Sequence, residues 1–150
     1  LKRHIINLKL EADFALADKR HLPQHQYITG GTGSVRGYPE SPVAGDHGQL
    51  ISVEYRFPFV IIDSGKSQKL VWTFGTFIDW AHAQVNSPLF YESNQNLLGL
   101  GFSLNLPLPG GLYINADFAK PLSEIVSDGI PLNGTLSSDY RIHANLGWNF

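Results

Sequence analysis

The chain has 150 residues, a formal net charge of −2 and no cysteine. That length suits one ordinary domain. The charge excludes a basic nucleic-acid footprint, and the missing thiols exclude a disulfide framework or a thiolate metal site. No apolar run reaches the ~18 residues of a transmembrane helix. A membrane barrel stays open, because its strands carry only period-2 alternation. The chain contains no methionine and opens inside a patterned segment, Leu1-Lys2-Arg3-His4-Ile5-Ile6. It is therefore expected to be a piece of a longer protein.

Six segments alternate. The first, about Arg3 to Leu16, sets Ile6, Leu8, Leu10, Ala12 and Phe14 against Asn7, Lys9, Glu11 and Asp13. Its length is roughly twice that of a typical soluble strand and suits a tilted bilayer crossing. The second, Gln49 to Phe57, sets Ile51, Val53, Tyr55 and Phe57 against Ser52, Glu54 and Arg56. The third, Leu70 to Trp80, places Trp72, Phe74, Ile78 and Trp80 opposite Gly75, Phe77 and Asp79. The fourth, Asn96 to Leu106, carries Leu98, Leu100, Phe102 and Leu104 opposite Gly99, Gly101, Ser103 and Asn105. The fifth, Leu112 to Lys120, sets Leu112, Ile114, Ala116 and Phe118 against Tyr113, Asn115 and Asp117. The sixth, Asp139 to Phe150, sets Tyr140, Ile142, Leu146, Trp148 and Phe150 against Arg141, His143, Asn145 and Asn149.

The connections alternate in length. Residues 17–48, 81–95 and 121–138 form long loops, whereas 58–69 and 107–111 are shorter turns. Short turns at one end and long loops at the other are the plan of an up-and-down outer-membrane barrel. A soluble antiparallel barrel or sandwich shows the same alternation. Against it stand the charged and amide residues of the polar faces (Glu54, Arg56, Asp79, Asp117, Arg141, His143, Asn145) and the scarcity of lysine there. These read as a wet lumen. Six strands cannot close a transmembrane barrel, whose smallest examples have about eight, so further strands are expected upstream of Leu1.

Within the first long loop lies Thr29-Gly30-Gly31-Thr32-Gly33-Ser34-Val35-Arg36-Gly37-Tyr38. Its glycines permit angles and close approaches that a Cβ forbids. Arg36 supplies a planar fork of donors that stays charged at any ordinary pH. Two readings satisfy these residues: a surface turn with Arg36 in water, or a loop tip that docks. Asp79 and Glu54 fall on neighbouring polar faces, and a carboxylate pair in a confined lumen calls for a cation such as a bidentate arginine.

The run Gly31 to Tyr38 resembles the Val-Arg-Gly-Tyr/Phe motif of the outer-membrane assembly and secretion translocators. That superfamily includes the Bam-complex barrel protein and the two-partner secretion transporters (the TpsB type, exporters of haemolysins and haemagglutinins). Gly45 to Pro58 and Ala119-Lys120-Pro121-Leu122 resemble the two-partner secretion branch more closely. Phe77-Ile78-Asp79-Trp80-Ala81 is similar to the family's Phe-x-Asp-x-Gly element, with Ala81 where glycine is usual. Phe150 matches the C-terminal aromatic read by the barrel assembly machinery. The resemblance spans about Gly30 to Phe150, with its elements in order.

It implies an all-β fold: the last six strands of an antiparallel transmembrane barrel of about sixteen, with periplasmic POTRA domains upstream. It implies a loop tip (Gly31, Gly33, Val35, Arg36, Gly37, Tyr38) folded into the lumen, with Arg36 meeting Asp79. The implied function is an outer-membrane pore that exports a large exoprotein, with outer-membrane lipids and the assembly machinery as further partners. The alternatives are a barrel-insertion factor, a passive porin and a soluble binder. No enzyme, cofactor or metal site is expected: the chain lacks HExxH, a Gly-x-Ser-x-Gly elbow and a phosphate-loop lysine.

Overall fold

Period-2 sequences with β-branched and aromatic residues on one side build strands, and the chain realises them as one antiparallel meander. The computed structural model describes residues 3–16, 19–63, 69–89, 92–127, 130–131, 135–136 and 138–149. Its strands are β1 (Ile5–Asp13), β2 (Tyr27–Thr29), β3 (Val43–Gly45), β4 (His47–Asp63), β5 (Lys69–Gln84), β6 (Gln95–Pro107), β7 (Leu112–Pro121), β8 (Val126–Ser127), β9 (Ile130–Pro131) and β10 (Arg141–Trp148). Six of them form a sheet in the order β1-β4-β5-β6-β7-β10. β2–β3 and β8–β9 are small two-stranded ribbons inside the long connections. Among the described residues, β1 pairs only with β4 and β10 only with β7, so the sheet keeps two free edges.

Two boundaries differ most from the sequence expectation, while β1 ends at Asp13 rather than Leu16 and β10 begins at Arg141 rather than Asp139. β4 continues past Phe57 to Asp63, although Pro58 reads as a strand breaker. The register shifts between Pro58 and Val60, and this bulge accommodates a residue with no N–H to donate. β5 runs on to Gln84, so Ala81–Gln84 are strand rather than loop. There Ala81 pairs with Leu97 and His82 with Asn96. Phe150 and the turn residues Ser64, Gly65 and Lys66 lie outside the described residues.

The sheet is inverted relative to a soluble protein. Its outward face carries the large apolar residues in exposed positions, among them Ile51, Val53, Ile78, Leu100, Phe102, Phe118, Ile142 and Leu146. The opposite face buries Glu54, Asp79 and Ser103. What covers that inner face is the β1–β4 connection, which folds back onto it. The chain's hydrophobic cluster (Val35, Tyr38, Val43, Leu50, Ala81, Ala83, Leu97, Ile125) lies where this connection and the loop after β7 meet the wall.

An apolar outward face of this kind suits lipid. Ile78→Arg on that face should cost about 2–4 kcal/mol if it lies near the bilayer midplane. Asn145→Arg on the inner face should cost far less. Urea unfolding of both variants in lipid vesicles checks the contrast.

Candidate functional site

Register builds the inner face row by row. One row runs Lys9–Ser52–Asp79–Gly99–Pro121, and the next runs Asn7–Glu54–Phe77–Gly101–Ala119–Arg141. A third runs Ile5–Arg56–Gly75–Ser103–Asp117–His143. Carboxylates thus sit on three different strands, and glycines occupy the positions between them.

The loop tip lands on these rows. Arg36 is 8% exposed, and its partner Asp79 is fully buried. Arg36 Nε donates to Asp79 Oδ2 at 2.8 Å, and Nη2 donates to Oδ1 at 2.9 Å. This is a bidentate fork. The backbone N–H of Arg36 adds a third bond to Oδ2 at 3.1 Å, and Ser52 Oγ donates to Oδ1 at 2.6 Å. Arg36 Nη1 reaches Glu54 Oε2 at 3.4 Å and lies 3.8 Å from Asp117 Oδ1. The guanidinium stacks over the Phe77 ring, 3.3 Å from its centroid, so the ring face adds a cation–π contact in a desolvated place.

Glu54 is shared. Arg56 donates to both its oxygens at 2.8 and 2.9 Å, and Ser103 Oγ donates to Oε1. The cluster therefore holds two guanidiniums against three carboxylates. Sequence parity placed Asp79 and Glu54 on the polar faces of neighbouring strands, and the structure brings both to Arg36. Arg56, Asp117, Ser52 and Ser103 complete the cluster; all were visible as inner-face residues, but nothing in the sequence tied them to Arg36.

Val35 and Tyr38 are fully buried. The Tyr38 hydroxyl accepts from Leu98 N at 3.1 Å and Ser123 N at 3.2 Å, and can donate to Ser123 O at 2.5 Å. It ties the loop tip to β6 and to the loop after β7. Gly37 has φ +100°, and a side chain there would press on the Lys120–Pro121 backbone. Gly99 is a contact that the sequence did not signal as such: a Cβ there would clash with the Arg36 carbonyl oxygen. Gly31 closes a turn, donating to Val35 O at 3.1 Å. The Thr32 N–H and hydroxyl both bind Glu40 Oε1. Gly33 is in open space, and its carbonyl accepts from Lys9 Nζ at 2.8 Å.

The base of the loop has its own clamp at Asp46, which is 1% exposed. Its carboxylate accepts from His21 N at 2.6 Å and Asn86 N at 2.7 Å, joining the first two long loops. Burial opposes its charge, yet these N–H groups and the Gln26 amide outweigh burial and hold its pKa below the ordinary aspartate range. Nearby, Arg20 grips Glu92 with two bonds at 2.9 and 2.5 Å. Among the described residues, no His, Asp and Glu cluster could hold a metal ion.

A bidentate arginine on a re-entrant loop, set on an aspartate of an inside-out β wall, matches the geometry implied by the sequence motifs. A family model described as the Omp85 superfamily domain matches residues 3–150. The chain belongs to the Omp85 superfamily. No curated protein and no solved structure matches it in the corresponding searches. Omp85 superfamily members are β-barrel proteins of the outer membrane that translocate or insert proteins. In barrels of that superfamily, the face opposite the lipid is the lumen side.

Gly99→Ala should lift the Omp85 loop tip off the wall and expose residues 33–38 to an added protease. Gly33→Ala meets no neighbour and should leave the tip protected; limited proteolysis in membranes compares the two.

Asp46 sets an acid limit. A carboxylate with a depressed folded pKa stabilises the fold above its unfolded pKa and loses that contribution as pH falls through the folded value. A spin label at position 19 should therefore gain mobility as pH drops below about 3.9, the ordinary aspartate pKa. In Asp46→Asn the label should be mobile already at neutral pH, with that acid step gone.

Proposed function

We propose that this chain is the C-terminal part of an outer-membrane pore that secretes and activates a large exoprotein, as in two-partner secretion. Further barrel strands and periplasmic POTRA domains would stand upstream in the whole protein, and the two free sheet edges are in keeping with that. The observation that carries the reading is the Arg36–Asp79 fork, which holds a loop tip across a polar wall. A tip held by this ion cluster and by the buried Val35 and Tyr38 forms an obstruction that a passing chain would have to displace.

The rest of the lumen wall suits an extended polypeptide. Asn105, Asn115 and Asn145 form one row across β6, β7 and β10, and Asn105 donates to Asn115. Such amides offer hydrogen bonds to a moving backbone without apolar patches that would retain it. Gly45 to Pro58, the stretch closest to the secretion branch, forms the return of the loop into β4. Its sequence resemblance to that branch, and not its place in the fold, is the ground for preferring secretion over a barrel-insertion role.

Removing one member of a buried pair strands a desolvated charge and costs roughly 3–5 kcal/mol. Arg36→Ala and Asp79→Ala should each reduce exoprotein release at least about tenfold with the barrel still in the membrane. Arg36→Lys should rescue only weakly, because an ammonium cannot make the fork. Exoprotein in the medium is the readout. Normal release from Arg36→Ala would reject this reading, and intact release with failed insertion of other barrels would favour the insertion factor.

A further inference from the structure

The outward face of the six strands is largely apolar, with neutral polar side chains at Thr76 and, towards the long loops, at Gln49, His82 and Asn96. Among their described side chains, Lys120 is the only charged one that register places outward. It pairs with Leu100 in the β6–β7 ladder, next to the outward pair Phe102–Phe118. These two rows flank an open groove of about 560 Å³, lined by Thr76, Leu100, Phe102, Phe118, Lys120 and Tyr140. Its floor is backbone at Gly101 and Ala119. Lys120 Nζ lies 5.4 Å from the centroid of the Tyr140 ring. Among the described residues no carboxylate forms an ion pair with it.

A lysine in apolar surroundings extends its ammonium towards the polar boundary. Lys120 is one residue from the end of β7 at which the long loops gather. Tyrosine is typical of that interfacial band. The groove therefore has an apolar trough with a cation and a phenol at its rim. We propose that it is a binding site for an anionic, phosphate-bearing lipid, with an acyl chain between the Leu100 and Phe102 rows and the phosphate on Lys120 Nζ. The charge argues for this occupant. A protein segment docking here would leave the ammonium buried and unpaired unless it brought its own carboxylate, whereas an anionic lipid supplies an anion and an acyl chain together.

The site lies on the opposite side of the wall from the Arg36 cluster and touches none of its side chains. It rests only on the outward face meeting lipid. It is also continuous with the loop dock, because Gly37 packs on the Lys120–Pro121 backbone from within. A lipid on Lys120 would thus steady the stretch of wall that the loop tip leans on.

The test uses the intact protein reconstituted in phosphatidylcholine vesicles containing phosphatidylglycerol of the same chains. Native mass spectrometry then reads the retained lipids. One lysine near a membrane surface adds about fivefold in affinity for an anionic lipid. Retained lipid should be enriched in phosphatidylglycerol by about that factor. The enrichment should vanish in Lys120→Gln, return in Lys120→Arg and persist in Lys69→Gln, which removes a lysine at the other end of the sheet. Thr76→Phe, which fills the trough and keeps the charge, should lower total retention. Equal retention of both lipids by the unaltered protein, or undiminished enrichment in Lys120→Gln, overturns the site and leaves the export reading untouched. A protein that does not stay with the vesicles overturns both.

Discussion

A guanidinium removed from water must be met by anions, and in this chain that requirement joins parts that are far apart in sequence. Arg36 finds Asp79 on β5 and Glu54 on β4, and Asp117 on β7 completes the ring. The loop cannot dock without the carboxylates. Asp79, in turn, would be a stranded charge in a crowded wall without the loop, whereas Glu54 would keep Arg56. A buried pair of this kind is a poor source of net stability, because desolvation offsets much of the attraction. Its value is positional: a planar fork accepts one orientation, so the loop tip has one place to sit. Val35 and Tyr38 then fill the adjoining space and add the apolar burial that the ion pair does not supply.

The wall is adapted to that visit. Small residues open the inner face: Gly99 lies under the Arg36 carbonyl, and Gly75 leaves room for the Glu54 and Ser103 side chains of the wall. Outward, the same strands carry exposed leucine, isoleucine and phenylalanine that no described residue covers. One sheet thus meets two solvents. Strict alternation makes this possible, because neighbouring residues on a strand face opposite sides. Six strands are too few to close a transmembrane barrel, and lipid does not tolerate the two edges of the described sheet unless further strands pair them.

Much of this was legible from parity alone. Alternation assigns Glu54, Arg56, Asp79, Ser103 and Asp117 to the polar faces of their strands, because a period of two leaves no other choice once a strand is granted. Boundaries were less legible. Pro58 signalled an end, whereas β4 bends through it with a bulge. The β2–β3 ribbon is three residues on each side, too short to show a period. Partnerships formed at a distance were invisible: Tyr38 with Ser123 spans 85 residues, and Asp46 with His21 and Asn86 depends on loop paths that no local signal encodes. The glycine at 99 could be counted, but its reason, the close passage of the Arg36 carbonyl, exists only in the fold.

The central claim is that Arg36 and Asp79 act as one buried unit. A double-mutant cycle of Arg36→Ala and Asp79→Ala, read by unfolding of the protein in lipid vesicles, measures it directly. The account predicts singles that each cost roughly 3–5 kcal/mol and a double mutant that costs clearly less than their sum. Singles of about 0–1 kcal/mol that simply add, as for a solvated pair, would contradict it and return the loop tip to the surface.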